Sequence, residues 1–455
     1  MYKKVFSLSL LPAALRTYGR SAAVRSSLSR LVVAVVATLS ITACAEKLEG
    51  GASCPLLCTQ QAATLIDTTI DGVVFDTTIV GLPPIGSERV LMLASHGDSL
   101  DARAIVRYDT IPQSFTARNA LDSVIVKLDS AILWIPILKP DSAHRPVGPI
   151  TIEAYNVDSI PADSVTLPTD TVSAVIATLF RPDRLLSSKT FAPESLLDTL
   201  RIPLPPDSVL DRVVNGTPLR VGFRLVPQGG RGYDLQLGSV QVGAPVTLHL
   251  VASTDTGAKP VNVTPLSKTP FNQPFLSGPL ADYSIVVKGG SPVTSANLIG
   301  VGGVPSRRSL HRFDVPSRIV DSTTIVRATL IMTQTPNRKI ATHDSIYVFP
   351  AAILASSSIT DTRTLLQFVG AIGQFGLDSV KMAPADSGQR SFEIVNIVRT
   401  WKGTTPDVSP RAVALRSNGE GGAPGEVNFF SYRVGGAVRP RLRITYVPAT
   451  TFGLP

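Results

Sequence analysis

The sequence predicts an all-β protein, with two tandem antiparallel β-sandwich domains placed after a signal peptide and a flexible tether. Short runs of Val, Ile, Leu, Thr and Tyr alternate with polar residues, as at residues 149–155 and 219–225. Such alternation is typical of half-buried strands. The 36 Pro and 34 Gly are spread through the chain and interrupt these runs. A set of landmarks also recurs in the same order in the two halves of the chain, which indicates duplication.

The first 43 residues have the pattern of an export signal. Residues 1–30 carry six basic and no acidic side chains, and the apolar run 31–41 that follows is too short to cross a bilayer. The tetrad Ile41-Thr42-Ala43-Cys44 resembles the lipobox of bacterial lipoproteins. That resemblance implies cleavage before Cys44, diacylglycerol on its thiol and a membrane as partner. Ala45 in place of Asp favours the outer membrane, and a plain secretory signal with an incidental Cys44 is the alternative.

The positive charge of the chain lies mainly in this leader. The whole chain has a net charge of +9, whereas residues 44–455 have 37 basic and 34 acidic side chains, a net charge of +3. No run of Lys and Arg occurs in that part. A near-neutral mature chain lacks the electrostatic footprint of a nucleic-acid-binding protein, so nucleic acid is not an expected partner.

Residues 44–65 are predicted to be a lipidated tether. This segment contains Cys54 and Cys58, separated by Pro-Leu-Leu. In an oxidising compartment we expect a disulfide between them, forming a small loop within the tether. A zinc site would need two further ligands, and no His or Cys pair nearby supplies them.

The recurring landmarks divide the rest of the chain. The matched segments are Thr78-Ile79-Val80 with Ser284-Ile285-Val286, Arg107-Tyr108-Asp109 with Arg312-Phe313-Asp314, Ser130-Ala131 with Arg327-Ala328, Gly222-Phe223-Arg224 with Ala414-Leu415-Arg416, and Ser239 with Ser431. Their offsets drift only from 206 to 192 residues. We therefore predict a sandwich at 66–252, a Pro-rich linker at 253–279 and a second sandwich at 280–448.

The order of motifs in the second copy resembles a known family, the DNRLRE-type modules also classed as family 96 carbohydrate-binding modules. The motifs are Arg312-Phe313-Asp314, Ala328-Thr329-Leu330, the Val395 to Gly403 segment with Trp401, and Pro440 to Tyr446. The resemblance implies jelly-roll-like sandwiches on secreted, often polysaccharide-directed, proteins. From its apolar neighbours at helical spacing, Trp401 is expected to fill the core at one end of a sandwich.

The sequence shows no pattern of catalytic or metal-binding residues. None of the five histidines has a His or Cys at metal-ligand spacing, and neither a Gly-x-Ser-x-Gly nor a phosphate-loop motif occurs. Loop carboxylates such as Asp98 and Asp101 are abundant, but turn chemistry explains them. We expect no enzyme activity and no cofactor, since no motif supports a Ca²⁺ site.

These observations favour a non-enzymatic, lipid-anchored protein of the cell envelope, with two sandwiches in a structural or adhesive role. Carbohydrate recognition, with a cell-surface or environmental polysaccharide as partner, is the first alternative. A divergent polysaccharide-degrading enzyme is the second. An exposed row of aromatic side chains beside polar groups would favour recognition, whereas a close carboxylate pair in a cleft would favour the enzyme.

Overall fold

The structure of the chain is a computed structural model. It describes residues 65–81, 86, 88–117, 121–138, 140, 145–158, 169–230, 232–252, 259–267, 270–273, 276–279, 281–289, 295–338, 344–353, 379–403 and 411–448. The chain divides into a unit at 1–63 and a second compact unit at 64–455, and the described residues all belong to the second.

Alternating apolar and polar residues form strands throughout the described part of the chain. The strands up to residue 263 are β1 (Ile66–Ile70), β2 (Val73–Gly81), β3 (Leu91–Ser95), β4 (Asp101–Tyr108), β5 (Ser114–Thr116), β6 (Asp122–Val124), β7 (Leu128–Pro136), β8 (Ile150–Asn156), β9 (Leu185–Phe191), β10 (Thr199–Leu204), β11 (Leu219–Pro227), β12 (Tyr233–Leu237), β13 (Thr247–Ala252) and β14 (Val261–Val263). We call β3–β14 the first half.

The later strands are β15 (Pro270–Gln273), β16 (Leu276–Pro279), β17 (Asp282–Lys288), β18 (Leu298–Gly302), β19 (Ser306–Phe313), β20 (Thr323–Thr335), β21 (Ile346–Ala352), β22 (Val380–Met382), β23 (Gly388–Glu393), β24 (Ala412–Ser417), β25 (Glu426–Phe430) and β26 (Arg441–Pro448). We call β18–β26 the second half. The described helices are short: α1 (Thr169–Ala177), α2 (Pro206–Asn215), α3 (Ser317–Val320) and α4 (Val395–Arg399).

The two halves repeat one pairing order. In the first half one sheet runs β12-β3-β4-β11-β8-β9 and the other β10-β7-β13-β14. In the second half the equivalent orders are β25-β18-β19-β24-β21-β22 and β23-β20-β26-β1, and β20 also pairs with β25, so these strands form one continuous sheet. The named strand pairs are all antiparallel. The predicted fold class, an all-β protein of antiparallel sandwiches, is confirmed.

Each half has its own apolar core, enclosed by its two sets of strands. The first core includes Leu133, Phe223 and Leu248, and the second includes Leu330 and Trp401. Trp401 is 3% exposed and its ring lies 5.5 Å from that of Phe313, which confirms its predicted place in the core.

A glycine in the left-handed conformation follows the helix before the last sheet strands in both halves, at a different distance from the helix end in each. Helix α2 is followed by Gly216 at φ 61°, and the turn after α4 contains Gly403 at φ 71°. A residue in this left-handed conformation accepts the end of a helix, and glycine adopts it without a side-chain clash. Gly216 caps α2 directly, whereas α4 is capped by Thr400 in the right-handed conformation and Gly403 lies in the turn that follows.

The strand pairing crosses the predicted domain boundaries. Strands β1 and β2, which precede the first half in sequence, pair with β26 and β19 of the second half. Strand β17, which precedes the second half, pairs with β4 of the first. The predicted ranges 66–252 and 280–448 therefore do not coincide with the sheets, and the predicted linker 253–279 contains β14, which pairs with β13, and the hairpin β15–β16. The reason is that β2 and β17 have similar alternation, so the sequence does not show which half each strand completes.

Candidate functional site

The outer face of the sheet β10-β7-β13-β14 is the candidate binding surface. Along β7 and β13 every second side chain, including Leu133 and Leu248, is buried against the first core. The intervening side chains point away from the core, because successive residues of a strand face opposite sides of the sheet. Trp134 and His249 lie among these outward-facing residues.

Trp134 stands at the centre of this face between two neighbours. The ring of His249 from β13 is stacked on it, with ring centroids 3.7 Å apart and an interplanar angle of 24°. The Arg201 guanidinium from β10 lies 4.5 Å from the Trp134 ring centroid. Since β7 lies between β10 and β13, the two neighbours cover opposite faces of the indole. The surface thus presents the edge of an aromatic ring, an exposed guanidinium and an imidazole.

The charge state of this stack is set by its own members. Partial burial and then the positive charge of Arg201 lower the pKa of His249. The imidazole is therefore neutral at neutral pH, when one ring nitrogen donates and the other accepts a hydrogen bond. Arg201 supplies the positive charge of the surface, and its delocalised guanidinium suits stacking on an aromatic face.

The equivalent face of the second half carries ion pairs instead. Arg443 of β26 pairs with the Asp67 carboxylate of β1 at 2.9 Å through Nε, and Arg327 pairs with Glu393 of β23 at 2.9 Å. The hydrogen bond from Arg443 lowers the pKa of Asp67. These charged groups satisfy one another across the strands, so the aromatic stack distinguishes the first half from its duplicate.

A cleft of about 460 Å³ opens beside helix α2 in the first half. Its lining includes Asn156, Asp207, Asp211 and Arg212, and Arg212 also forms an ion pair with Asp158 at 3.1 Å. Asp207 and Asp211 are one helical turn apart, a spacing that places side chains on the same face of a helix. The cleft therefore offers carboxylates and a guanidinium as hydrogen-bonding groups.

Two buried carboxylates meet where β17 joins the first half. Glu88 is 3% exposed and accepts the backbone N–H of Ser284 at 3.3 Å, and burial together with the negative charge of Asp282 raises its pKa to about 8. Asp282 is fully buried and accepts the N–H of Val240 at 2.7 Å, and burial raises its pKa to about 6. Among the described residues, Glu88 Oε2 and Asp282 Oδ1 have no hydrogen-bond partner.

The second half has a satisfied counterpart of this site. Asp76 of β2 accepts the hydroxyl of Ser431 at 2.6 Å and the N–H of Tyr432 at 2.7 Å, one contact for each carboxylate oxygen. Burial raises the pKa of Asp76 as well. In the described part of the chain, no group of three or more His, Cys, Asp or Glu side chains is placed to hold a metal ion.

The predicted site residues lie outside the described part of the chain. This applies to the lipid acceptor Cys44 and to the disulfide partners Cys54 and Cys58, which stay predictions. No helix in the described ranges is both long and apolar enough to cross a membrane. The run from Ala131 to Leu138 is continuously apolar, so the sequence does not show that Trp134 points outward, and only the register of β10 and β13 brings Arg201 and His249 to it.

Comparisons with known proteins give few relatives. No family model matches the chain, and no curated protein matches it. Solved structures with some similarity include a protein of Parabacteroides distasonis predicted to be secreted, with 10% identity, coverage of 83% of this chain and 91% of the other, and a TM-score of 0.18. The Macrobrachium rosenbergii nodavirus structure has 9% identity, coverage of 86% of this chain and 92% of the other, and a TM-score of 0.17. The structure of the Gx strain of infectious bursal disease virus has 9% identity, coverage of 85% of this chain and 78% of the other, and a TM-score of 0.14. TM-scores this low do not establish a shared fold.

Proposed function

We propose that the chain is a non-enzymatic, lipid-anchored protein of the cell envelope, exported to the outer membrane, whose two interlocked sandwiches have a structural or adhesive role. The observation that carries the proposal is the exchange of strands between the halves. The exchange joins residues 64–455 into one compact unit, whereas a protein that only tethers two independent modules would not need it.

The position of β1 and β2 suits a protein that is held at its N-terminus. These strands are the first elements after the predicted tether, and they pair with β26 through five residue pairs and with β19 through eight. A pull on the tether therefore loads two ladders of backbone hydrogen bonds in the second half.

Replacement of Cys44 tests the anchor. Cys44→Ala should abolish labelling by a fatty acid analogue and should release the protein from the membrane fraction, because the thiol is the only group that accepts the diacylglycerol. Cys54→Ala is the matched control, and it should keep both label and membrane retention. A Cys44→Ala protein that is still labelled and sediments with membranes would contradict the proposal.

Carbohydrate recognition by the first half is the second candidate, and the stack of Arg201, Trp134 and His249 favours it. The faces of the indole are covered, so a sugar would meet the ring edge of Trp134 together with the guanidinium donors and the neutral imidazole. Aromatic side chains beside a few fixed polar groups are a common composition of ligand-binding surfaces. The second half, with its self-satisfied ion pairs, would not take part.

A glycan-binding screen of the full chain, with and without calcium, tests this second candidate. For any glycan that binds, Trp134→Ala should weaken the affinity by at least about tenfold, the equivalent of 1.4 kcal/mol. Tyr347→Ala, which alters an exposed aromatic residue of β21, should leave the affinity unchanged. Binding that survives Trp134→Ala, or a screen without any bound glycan, would contradict recognition at this face.

A further inference from the structure

The two exchanged strands occupy equivalent positions. Strand β2 lies beside β19 with Thr78 opposite Ser309, and β17 lies beside β4 with Ser284 opposite Ala104. Thr78 and Ser284 are 206 residues apart, and their partners are 205 apart, so the register is the same to within one residue. We call the position beside β19 in the second half and the position beside β4 in the first half the two slots. Strand β2 fills the first of these slots and β17 the second, with equivalent register.

The polar contacts in the two slots also agree. The hydroxyl oxygen of Thr78 accepts the N–H of Gly300 of β18 at 2.9 Å, and that of Ser284 accepts the N–H of Met92 of β3 at 2.9 Å. These contacts cross from the exchanged strand to a strand other than its pairing partner. These two hydrogen bonds fix the register of the exchanged strands, because a shift by one residue would turn the hydroxyl to the other face of the sheet.

A buried carboxylate two residues before each of these hydroxyl groups also holds the strand. Asp76 of β2 accepts the N–H of Tyr432, and Asp282 of β17 accepts the N–H of Val240, both at 2.7 Å. Tyr432 and Val240 follow the equivalent serines of the two halves. The two slots thus recognise the same pattern, an Asp followed two residues later by a Thr or Ser.

The connections to the exchanged strands are matched as well. Nine residues, 82–90, lead from β2 to β3, and nine residues, 289–297, lead from β17 to β18. Strand β2 completes the second half although the whole first half separates the two in sequence. The position beside β19 is therefore filled by β2 through the side-chain and backbone contacts of that strand, and not because the strand is next to the second half in sequence.

We propose that two copies of this chain trade their β1–β2 segments (residues 66–81), so that each segment completes the second half of the other molecule. The trade keeps every strand pair and every buried hydrogen bond, because each slot stays filled and no sheet edge is left open. Only the entropy of association opposes it. A high local concentration, such as that of molecules confined to a membrane surface, reduces this entropic cost.

A disulfide trap between two distinguishable chains tests the trade. Both are full chains in which Cys44, Cys54 and Cys58 are replaced by Ser; one carries Thr78→Cys and the other, with a different affinity tag, carries Ser309→Cys. The two are unfolded together, refolded at increasing protein concentration and oxidised. Paired residues on adjacent antiparallel strands are close enough for a disulfide.

We expect a disulfide-linked dimer that carries both tags and increases with concentration, to at least about tenfold above the control pair. In the control, Thr199→Cys of the exposed strand β10 replaces Ser309→Cys. Light scattering on the chain without any engineered cysteine, refolded in the same way, should show the same concentration-dependent dimer. A mixed disulfide no more abundant than the control at every concentration, or a chain without engineered cysteines that stays monomeric throughout, would overturn the proposal.

Discussion

Glu88 shows how the fold changes the chemistry of a single residue. In sequence it is an ordinary loop carboxylate, but in the structure it is buried beside Asp282 and its pKa is about 8. A carboxyl group with a raised pKa in the folded state is protonated there at neutral pH and ionised in the unfolded chain. Its contribution to stability is therefore full below its ordinary pKa of about 4.5 and is lost as the pH rises towards 8.

Glu88→Gln should remove this pH dependence. The neutral amide has no charge to bury, so the variant should gain stability over the wild type as the pH rises from 5 to 8, by up to about 4 kcal/mol. Urea unfolding curves of both proteins across this pH range measure the difference. Asp98→Asn, at a fully exposed carboxylate, is the control and should follow the wild type. A constant difference between Glu88→Gln and the wild type at every pH would contradict the assignment.

At the scale of elements, the exchanged strands β2 and β17 form buried hydrogen bonds with residues far away in sequence. Asp76 is in the N-terminal strand β2, yet its carboxylate accepts hydrogen bonds from Ser431 and Tyr432 near the C-terminus. Asp282 lies in β17, the strand that precedes the second half, yet its carboxylate accepts a hydrogen bond from the backbone N–H of Val240 in the first half. Removal of either carboxylate leaves a buried donor without its acceptor, which costs about 1–3 kcal/mol per group.

Asp76→Ala and Asp282→Ala should therefore have crossed effects on amide hydrogen exchange. Asp76→Ala should speed exchange at residues 431–434 and in β19 and leave β3 and β12 unchanged. Asp282→Ala should speed exchange around Val240 and leave β25 and the 431–434 turn unchanged. Each variant is the control for the other. Faster exchange in β3 and β4 of Asp76→Ala would mean that β2 stays with the half it precedes in sequence.

The elements themselves were predictable, whereas their partners were not. The motif Pro440 to Tyr446 of the family resemblance implied a strand of a sandwich, and the structure has β26 there with Leu442 and Ile444 buried. Apolar spacing around Trp401 predicted a core residue. The exchange could not be predicted, because the alternation that makes β2 and β17 recognisable as equivalents does not show which half each strand completes. The Trp134 stack depended on register between strands more than 60 residues apart, which no local pattern records.

At the scale of the whole molecule, the exchange turns two duplicated sandwiches into one unit. Other contacts support it: Val304 of the second half packs with Met92 and Ala94 of β3, and the Gln236 side chain donates to the carbonyl of Gly422 at 2.8 Å. Each half lacks a strand that the other supplies. This completion of each half by a strand from outside it underlies both the proposed role at the membrane and the proposed trade of β1–β2 segments between two molecules.

Disulfide trapping within a single chain tests this central claim most directly. In a chain whose native cysteines are replaced by Ser, the pair Thr78→Cys and Ser309→Cys should form an intramolecular disulfide on mild oxidation, because β2 lies beside β19. The pair Thr78→Cys and Ala104→Cys reports the arrangement without exchange and should stay reduced. A disulfide in the second pair and free thiols in the first would contradict the account.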